Sequence, residues 1–235
     1  FAFEGRRLPG AARFGRGENL LDFAEHQIDP HFGDRRTAEH GHYGPGTNPR
    51  GEPAQNVGII EFAVLDLFDL ESVKRGADDI AARFPKIDRL INNAGVMACP
   101  LGRTKEGLDT QLGTNHLGHF LLTNLLLSLI EKGEEPRIVN LSSRGHHITG
   151  VDFDDPNFDS RTYDPWLAYG QSKTAHILFA VGLERRLGDR GIHAYSLHPG
   201  GIHTNLGRHM SEEETAALIE RIRKASEESG EEPQP

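Results

Sequence analysis

From residue 58 onward, short apolar runs alternate with longer stretches of helical periodicity. GIIEFAVLD at 58–66 is an apolar run ending at Asp66 and predicts a strand. DLESVKRGADDIAARF at 69–84 has the 3.6-residue period of a helix, and Pro85 stops it. IDRLINNAG at 87–95 predicts a buried strand closed by a turn. Residues 104–133 predict one or two helices, and PRIVNLSS at 136–143 a further buried strand. A polar loop with Asp154, Asp155, Pro156 and Asn157 follows. The segment 164–187 predicts a long helix, with Asp164 as N-cap and Pro165 at its first position. IHAYSLHPG at 192–200 is the next strand. SEEETAALIERIRKASEES at 211–229 is a surface helix opened by a Ser211/Glu214 capping box. Strands that alternate with helices imply a parallel sheet with right-handed crossovers. No internal repeat is visible.

The first 56 residues follow a different composition. They are rich in Gly, Pro and Arg and hold no Val, Lys or Ser. Such a stretch has little to bury, so it predicts no packed core. The exception is 17–28, where Leu20, Leu21, Phe23 and Ala24 suit a short helix. The domain reading is therefore an atypical, poorly ordered or non-native segment at 1–56. One folded domain follows at 57–235, with an acidic tail that frays from about residue 229.

Charge and cysteine usage narrow the function classes. Acidic residues outnumber basic ones by 35 to 26, for a net charge of −9, which argues against nucleic acid as partner. Cys99 stands alone, so no internal disulfide forms, and no signal peptide is visible; both favour a cytoplasmic location. The longest apolar run, 120–130, is too short to span a bilayer and carries Asn124. The 13 His residues invite a metal. His116 and His119 share a helical face, yet no carboxylate stands at ligand spacing, and no metal site is expected.

The chemistry lies in LAYGQSK at 167–173, where Tyr169 and Lys173 stand four apart and so share one helical face. A phenol beside an ammonium forms a proton-transfer pair. A lone pair of this spacing is a weak signal, since Tyr packing and Lys snorkelling give the same pattern. The strand ends strengthen it. In parallel α/β sheets, ligands bind outside the carboxyl ends of the strands. Here those ends are NNAG at 92–95, Ser142–Ser143, and HPG at 198–200, all small or polar.

INNAGVM at 91–97, TNHLGHFLLT at 114–123, RIVNLSS at 137–143, LAYGQSK at 167–173 and YSLHPGGIHT at 195–204 carry a close resemblance. Over about 58–210 the chain resembles the short-chain dehydrogenase/reductase family, in the branch of retinol dehydrogenases and WW-domain oxidoreductases. Five motifs in the right order make the resemblance specific. It implies a three-layer Rossmann-like parallel sheet and an NAD(P)-dependent oxidoreductase. The substrate would be a small-molecule alcohol or carbonyl compound. Trp166, Phe153 and Phe158 near the crevice suit a hydrophobic one, and a homo-oligomer is compatible with this reading.

Carried over by the resemblance, Tyr169 would be the acid/base. A phenol titrates at about 10, and the Lys173 ammonium and an oxidised nicotinamide would lower that value. Lys173 would also hold the nicotinamide ribose. Ser143, the second serine of its pair, would hydrogen-bond the substrate oxygen. Asn115 would hold a water linking Lys173 to solvent. Asn93, Ala94 and Gly95 would border the adenosine, and Asp66 would accept from the adenine amine. Pro199, Gly200, Ile202 and Thr204 would contact the nicotinamide carboxamide.

The sequence departs from the family at its start. The first βα turn should read Thr-Gly-x-x-x-Gly-x-Gly, whose glycines admit a pyrophosphate to a helix N-terminus. The nearest match is Gly10, Gly15 and Gly17, one residue too long in its outer gap and preceded by Pro9. The fold is thus expected to be incomplete at its N-terminal β-α-β unit, and the family's last strand is expected to be missing. Either 1–56 supplies unusual strands, or 58–66 pairs directly with 87–91; otherwise that edge is open and prone to aggregation. The composition of 1–56 suggests GC-rich DNA read in the wrong frame. The alternative function is accordingly an impaired fragment that serves as a binding or interaction protein, or a faulty gene model.

Overall fold

The computed structural model describes residues 61–200 and, beyond them, 205–208, 210, 211, 213, 214 and 216. The segment 1–56 with its candidate helix, the start of the 58–66 run, Ile202, Thr204 and most of the 211–229 helix lie outside the described residues.

Among the described residues three short strands form the sheet: β1 (Arg89–Asn92), β2 (Arg137–Leu141) and β3 (His193–Leu197). Their order is β1-β2-β3 and both pairings are parallel. The register sets Ile91 beside Val139 and Val139 beside Tyr195. Side chains alternate across the sheet. Leu90, Ile138 and Ala194 point into the core, which they share with three helices.

The first helix, α1 (Leu70–Arg83), is capped by Asp69, whose carboxylate accepts from Glu71 N and Ser72 N. Val73, Ala77 and Ile80 form its buried stripe. The 104–133 region is helical from Thr110, where the Asp109 carboxylate accepts from Gln111 N and Leu112 N. A short α2 (Thr110–Leu112) runs into a π turn at Gly113–Leu117 and then α3 (Gly118–Ile130). The long α4 (Pro165–Leu187) starts as its sequence predicts, with the Asp164 carboxylate accepting from Trp166 N and Leu167 N. The expected capping box also forms: Ser211 Oγ accepts from Glu214 N at 3.1 Å, and Ser211 N donates to Glu214 Oε2 at 2.8 Å.

One predicted strand forms no ladder over its described part. Residues 61–66 pair with no strand among the described residues, and β1 meets β2 alone. Alternation survives without the ladder: Ala63 and Leu65 pack on the core, whereas Phe62 and Val64 are exposed. The segment rests on α1 instead, where a Cβ on Gly76 would stand 2.6 Å from Leu65 Cβ. An apolar run specifies an extended, half-buried chain; a strand needs a partner edge as well.

The core holds polar groups on the helix side of the sheet. Asn92 and Asn140 face each other in register, and Asn92 Nδ2 donates to Asn140 Oδ1 at 2.9 Å and to Thr123 Oγ1 of α3 at 3.0 Å. All three side chains are buried. Asn92 therefore ties two strands and a helix together, where its sequence context suggested a turn residue. Asn92→Ala should lower stability by about 1–3 kcal/mol, because it strands two buried partners. A urea midpoint equal to that of the parent protein would contradict this.

Candidate active site

Ser143, Tyr169 and Lys173 meet where β2 ends against α4. Tyr169 and Lys173 are buried, at 3% and 5% exposure. The Ser143 hydroxyl stands near enough to the Tyr169 phenol to lower its pKa. Lys173 Nζ donates to the Leu141 carbonyl at 2.9 Å and lies 5.6 Å from the centre of the Tyr169 ring. Ser142 is turned away: its buried hydroxyl donates to the Lys173 carbonyl at 3.0 Å. The two adjacent serines are thereby separated in role, Ser143 at the phenol and Ser142 fastening α4 to the strand. The Ser143 Oγ also accepts from Gly145 N at 3.1 Å, which opens a 3-10 turn at Arg144–His147.

Two glycines permit this closeness. A Cβ on Gly145 would lie 2.8 Å from Tyr169 Cε1, and a Cβ on Gly170 would lie 2.8 Å from the Gly145 carbonyl. The Tyr169 ring thus packs directly on a bare backbone.

The electrostatics depart from expectation. Burial raises the Tyr169 phenol above its ordinary value, and the neighbouring Ser143 hydroxyl offsets this only in part. With Lys173 donating to the Leu141 carbonyl, the phenol is not brought below its ordinary value. Burial also pushes Lys173 down to about 8.

Asn115 sits in the π turn, fully buried. Its Oδ1 accepts from Val96 N at 2.8 Å, and its Nδ2 donates to Val96 O and to Ser172 Oγ, each at 2.9 Å. Its carboxamide therefore braces the loop after β1 against α4, one residue from Lys173. Gly95 lies between the two: a Cβ there would be 2.8 Å from Asn115 Oδ1 and 3.9 Å from Lys173 Nζ. Asn93, Ala94 and Gly95 are half-buried along this loop. Pro199 and Gly200 follow β3, which runs beside β2, and Gly200 has a φ of +89°, a conformation suited to glycine. Asp66 lies apart from Ser143, Tyr169 and Lys173 in sequence and is exposed. Its Oδ1 accepts from Phe68 N at 2.9 Å, so it closes a turn and leaves the capping of α1 to Asp69.

The aromatic residues divide. Phe153 is 81% exposed, and Trp166 meets the Tyr169 ring edge-on at 6.2 Å. Phe158 is buried under the Arg161 guanidinium, 3.8 Å above its ring, and belongs to the core of the loop, not to a crevice wall.

Near Lys173 lie three imidazoles: His116 and His119, which the sequence weighed as metal ligands, and His176, which it did not single out. His176 is 5.4 Å from His119 and 5.6 Å from His116, ring centre to ring centre. Burial lowers His116 to about 4 and His119 to about 3, and lowers His176 as well. Among the described residues no group of three or more His, Cys, Asp or Glu is placed to hold a metal ion. No helix among them is long and apolar enough to cross a membrane.

Residues 50–228 match a family model described as enoyl-(acyl carrier protein) reductase. The chain belongs to the short-chain dehydrogenase/reductase family. Within this family it is similar to human retinol dehydrogenase 13, 49% identical over 145 residues, covering 62% of this chain and 44% of that one. Mouse retinol dehydrogenase 14 is 43% identical over 165 residues, covering 70% and 48%. A short-chain dehydrogenase/reductase of Penicillium roqueforti is 42% identical over 160 residues, covering 66% and 47%. The chain thus spans about half the length of the curated relatives it matches. Among solved structures it is similar to an uncharacterised protein of Mycobacterium paratuberculosis, with a TM-score of 0.55 and 46% identity, covering 66% of this chain and 55% of that one. The α/β architecture and the retinol dehydrogenase-like branch of this dehydrogenase/reductase chain accord with the reading of its five motifs.

Two outcomes follow for this dehydrogenase/reductase. Gly145→Ala should cost about 1–3 kcal/mol through overpacking against Tyr169, whereas Gly150→Ala, with open space around it, should cost nothing measurable. Equal urea midpoints for the two variants would contradict the close packing. The histidines predict an acid dependence. Folded His116 and His119 bind protons only near pH 4 and pH 3, whereas the unfolded chain binds them near 6.5. Stability should be level above about pH 6.5 and fall as pH drops below it. Urea melts that stay unchanged down to pH 5 would rule this out.

Proposed function

We propose that this chain carries the catalytic half of a nicotinamide-dependent oxidoreductase acting on an alcohol or its carbonyl partner. The observation that carries the reading is that Ser143, Tyr169 and Lys173 meet where β2 ends against α4, Tyr169 and Ser143 both against Gly145 and Lys173 one helical turn along.

The residues present fit a nicotinamide nucleoside. The strand ends offer small residues, and Gly95 and Gly200 leave backbone bare beside Lys173 and at the mouth of β3. Asn93, Ala94, Gly95, Pro199 and Gly200 would line the cofactor, with Ile202 and Thr204 continuing the last segment. The exposed Asp66 carboxylate keeps acceptor capacity for an adenine amine. NAD(P) bound there supplies or takes up the hydride.

The chain's own residues handle the proton. In carbonyl reduction, Tyr169 gives its phenolic proton to the substrate oxygen as that oxygen gains negative charge. Burial keeps the phenol protonated, which suits an acid. Ser143 donates a hydrogen bond to the same oxygen and fixes the carbonyl beside the phenol. The Lys173 ammonium, buried nearby, favours the phenolate that remains. In alcohol oxidation the proton moves in the opposite direction, from substrate to phenolate. Asn115 holds the loop after β1, and a water on the second lone pair of its Oδ1 would join Lys173 to solvent.

An apolar substrate is favoured by Trp166 beside the Tyr169 ring, and by the relatives named for retinol. The second reading, a binding or interaction protein, is favoured by the lack of a Thr-Gly-x-x-x-Gly-x-Gly segment. One titration separates the two. Saturable change of NADH or NADPH fluorescence, with turnover of an apolar aldehyde that Tyr169→Phe lowers by roughly 10²–10⁴-fold, supports the oxidoreductase. No saturable change up to millimolar cofactor eliminates it.

A further inference from the structure

His119 is buried and belongs to no step above. Its Nδ1 lies 2.7 Å from the carbonyl of Asn115, four residues back. A carbonyl only accepts, so Nδ1 carries the proton in this bond. The position is unusual because the helix is wound wider here: Gly118 N reaches the Gly113 carbonyl, five residues back. Such π turns insert one residue into a helix and recur at functional sites. This one rotates Asn115 so that its carboxamide reaches Val96 on one side and Ser172 on the other. The backbone carbonyl of the same residue is then held by a side chain.

We propose that His119 is a positioning residue for the proton-transfer group: its Nδ1–H fastens the Asn115 carbonyl and so fixes the carboxamide that sets the loop beside Lys173. The inference deepens the oxidoreductase reading and rests on it for its kinetic consequence. A bland alternative exists, that His119 only fills the core. Three features favour the positioning role. The bond is to Asn115 itself, the residue that links the loop after β1 to α4. Burial, with Lys173 of α4 and His116 of the π turn nearby, keeps the ring neutral, and the Asn115 carbonyl selects its Nδ1–H tautomer. Finally, the same helix shows a side chain able to replace it: Asn124 Nδ2 donates to the Phe120 carbonyl at 2.7 Å, also four residues back.

The last point supplies the test. His119→Leu keeps apolar volume and removes the donor. His119→Asn loses ring volume and keeps a donor at the δ position. The full chain of each is compared in two ways. The first is turnover with its solvent isotope effect and pH profile. His119→Leu should lower turnover by about tenfold or more, part of the contribution of positioned proton transfer, with an altered isotope effect; His119→Asn should recover most of it. The second is hydrogen exchange of Val96 N–H, which is bonded to Asn115 Oδ1. It should speed up selectively in His119→Leu, relative to α1 amides, and remain slow in His119→Asn. Equal losses in both variants, or no change in Val96 exchange, would overturn the proposal. If the parent protein proves inactive, the oxidoreductase reading fails on that result alone. The exchange measurement still decides whether His119 positions Asn115.

Discussion

The close approach of α4 to the end of β2 is the constraint on which the site depends. It is made of a few contacts that leave little freedom. Lys173 Nζ donates to the Leu141 carbonyl, and the Ser142 hydroxyl donates back to the Lys173 carbonyl. Gly145 and Gly170 remove the two Cβ atoms that would hold the helix and the 3-10 turn apart. Once these contacts form, Tyr169 has one place to go, against the Gly145 backbone and the Ser143 hydroxyl. The proton-transfer pair is thus located by backbone proximity, and its chemistry follows from how deeply it is buried.

Burial has opposite consequences for the two members of the pair. It raises the phenol and lowers the ammonium, so Lys173 becomes the more acidic of the two. Burial favours the uncharged form of each. The cost of burying the ammonium is offset in part by its hydrogen bond to the Leu141 carbonyl. The same logic extends across the helix side of the sheet. Asn92 Nδ2 bonds Asn140 and Thr123 beneath the strands, and Asn115 joins the β1 loop to α4. Polar groups placed in a core in this way fix register and orientation, because an alternative arrangement would leave them unpaired.

Much of this was legible in the residues. The helix starts at Asp69 and Asp164, the stop near Pro85 and the Ser211/Glu214 box are local chemistry, and they stand where their patterns put them. The parallel order of β1, β2 and β3 follows from alternation with helices. The motif resemblance also singled out Ser143, Tyr169 and Lys173, which the fold gathers at one strand end. Less legible were the features that depend on a partner. The 58–66 run has a strand's hydrophobicity, yet 61–66 lacks a neighbouring edge among the described residues. Phe158 has the same apolar character as Phe153, yet one is core and the other exposed. The π turn at Gly113–Leu117 leaves no period in the sequence that differs visibly from an α-helix.

The sequence by itself determined most of the elements and their order, because propensity, capping and strand–helix alternation act over a few residues, and its motifs singled out Ser143 over Ser142. Only the tertiary structure decided that Ser142 fastens the helix. It also decided that burial raises the phenol, that Lys173 is directed to a backbone carbonyl, and that three histidines form a neutral stack under the site. Those outcomes are set by distance and desolvation between groups far apart in the chain, and neither quantity is written in residue order.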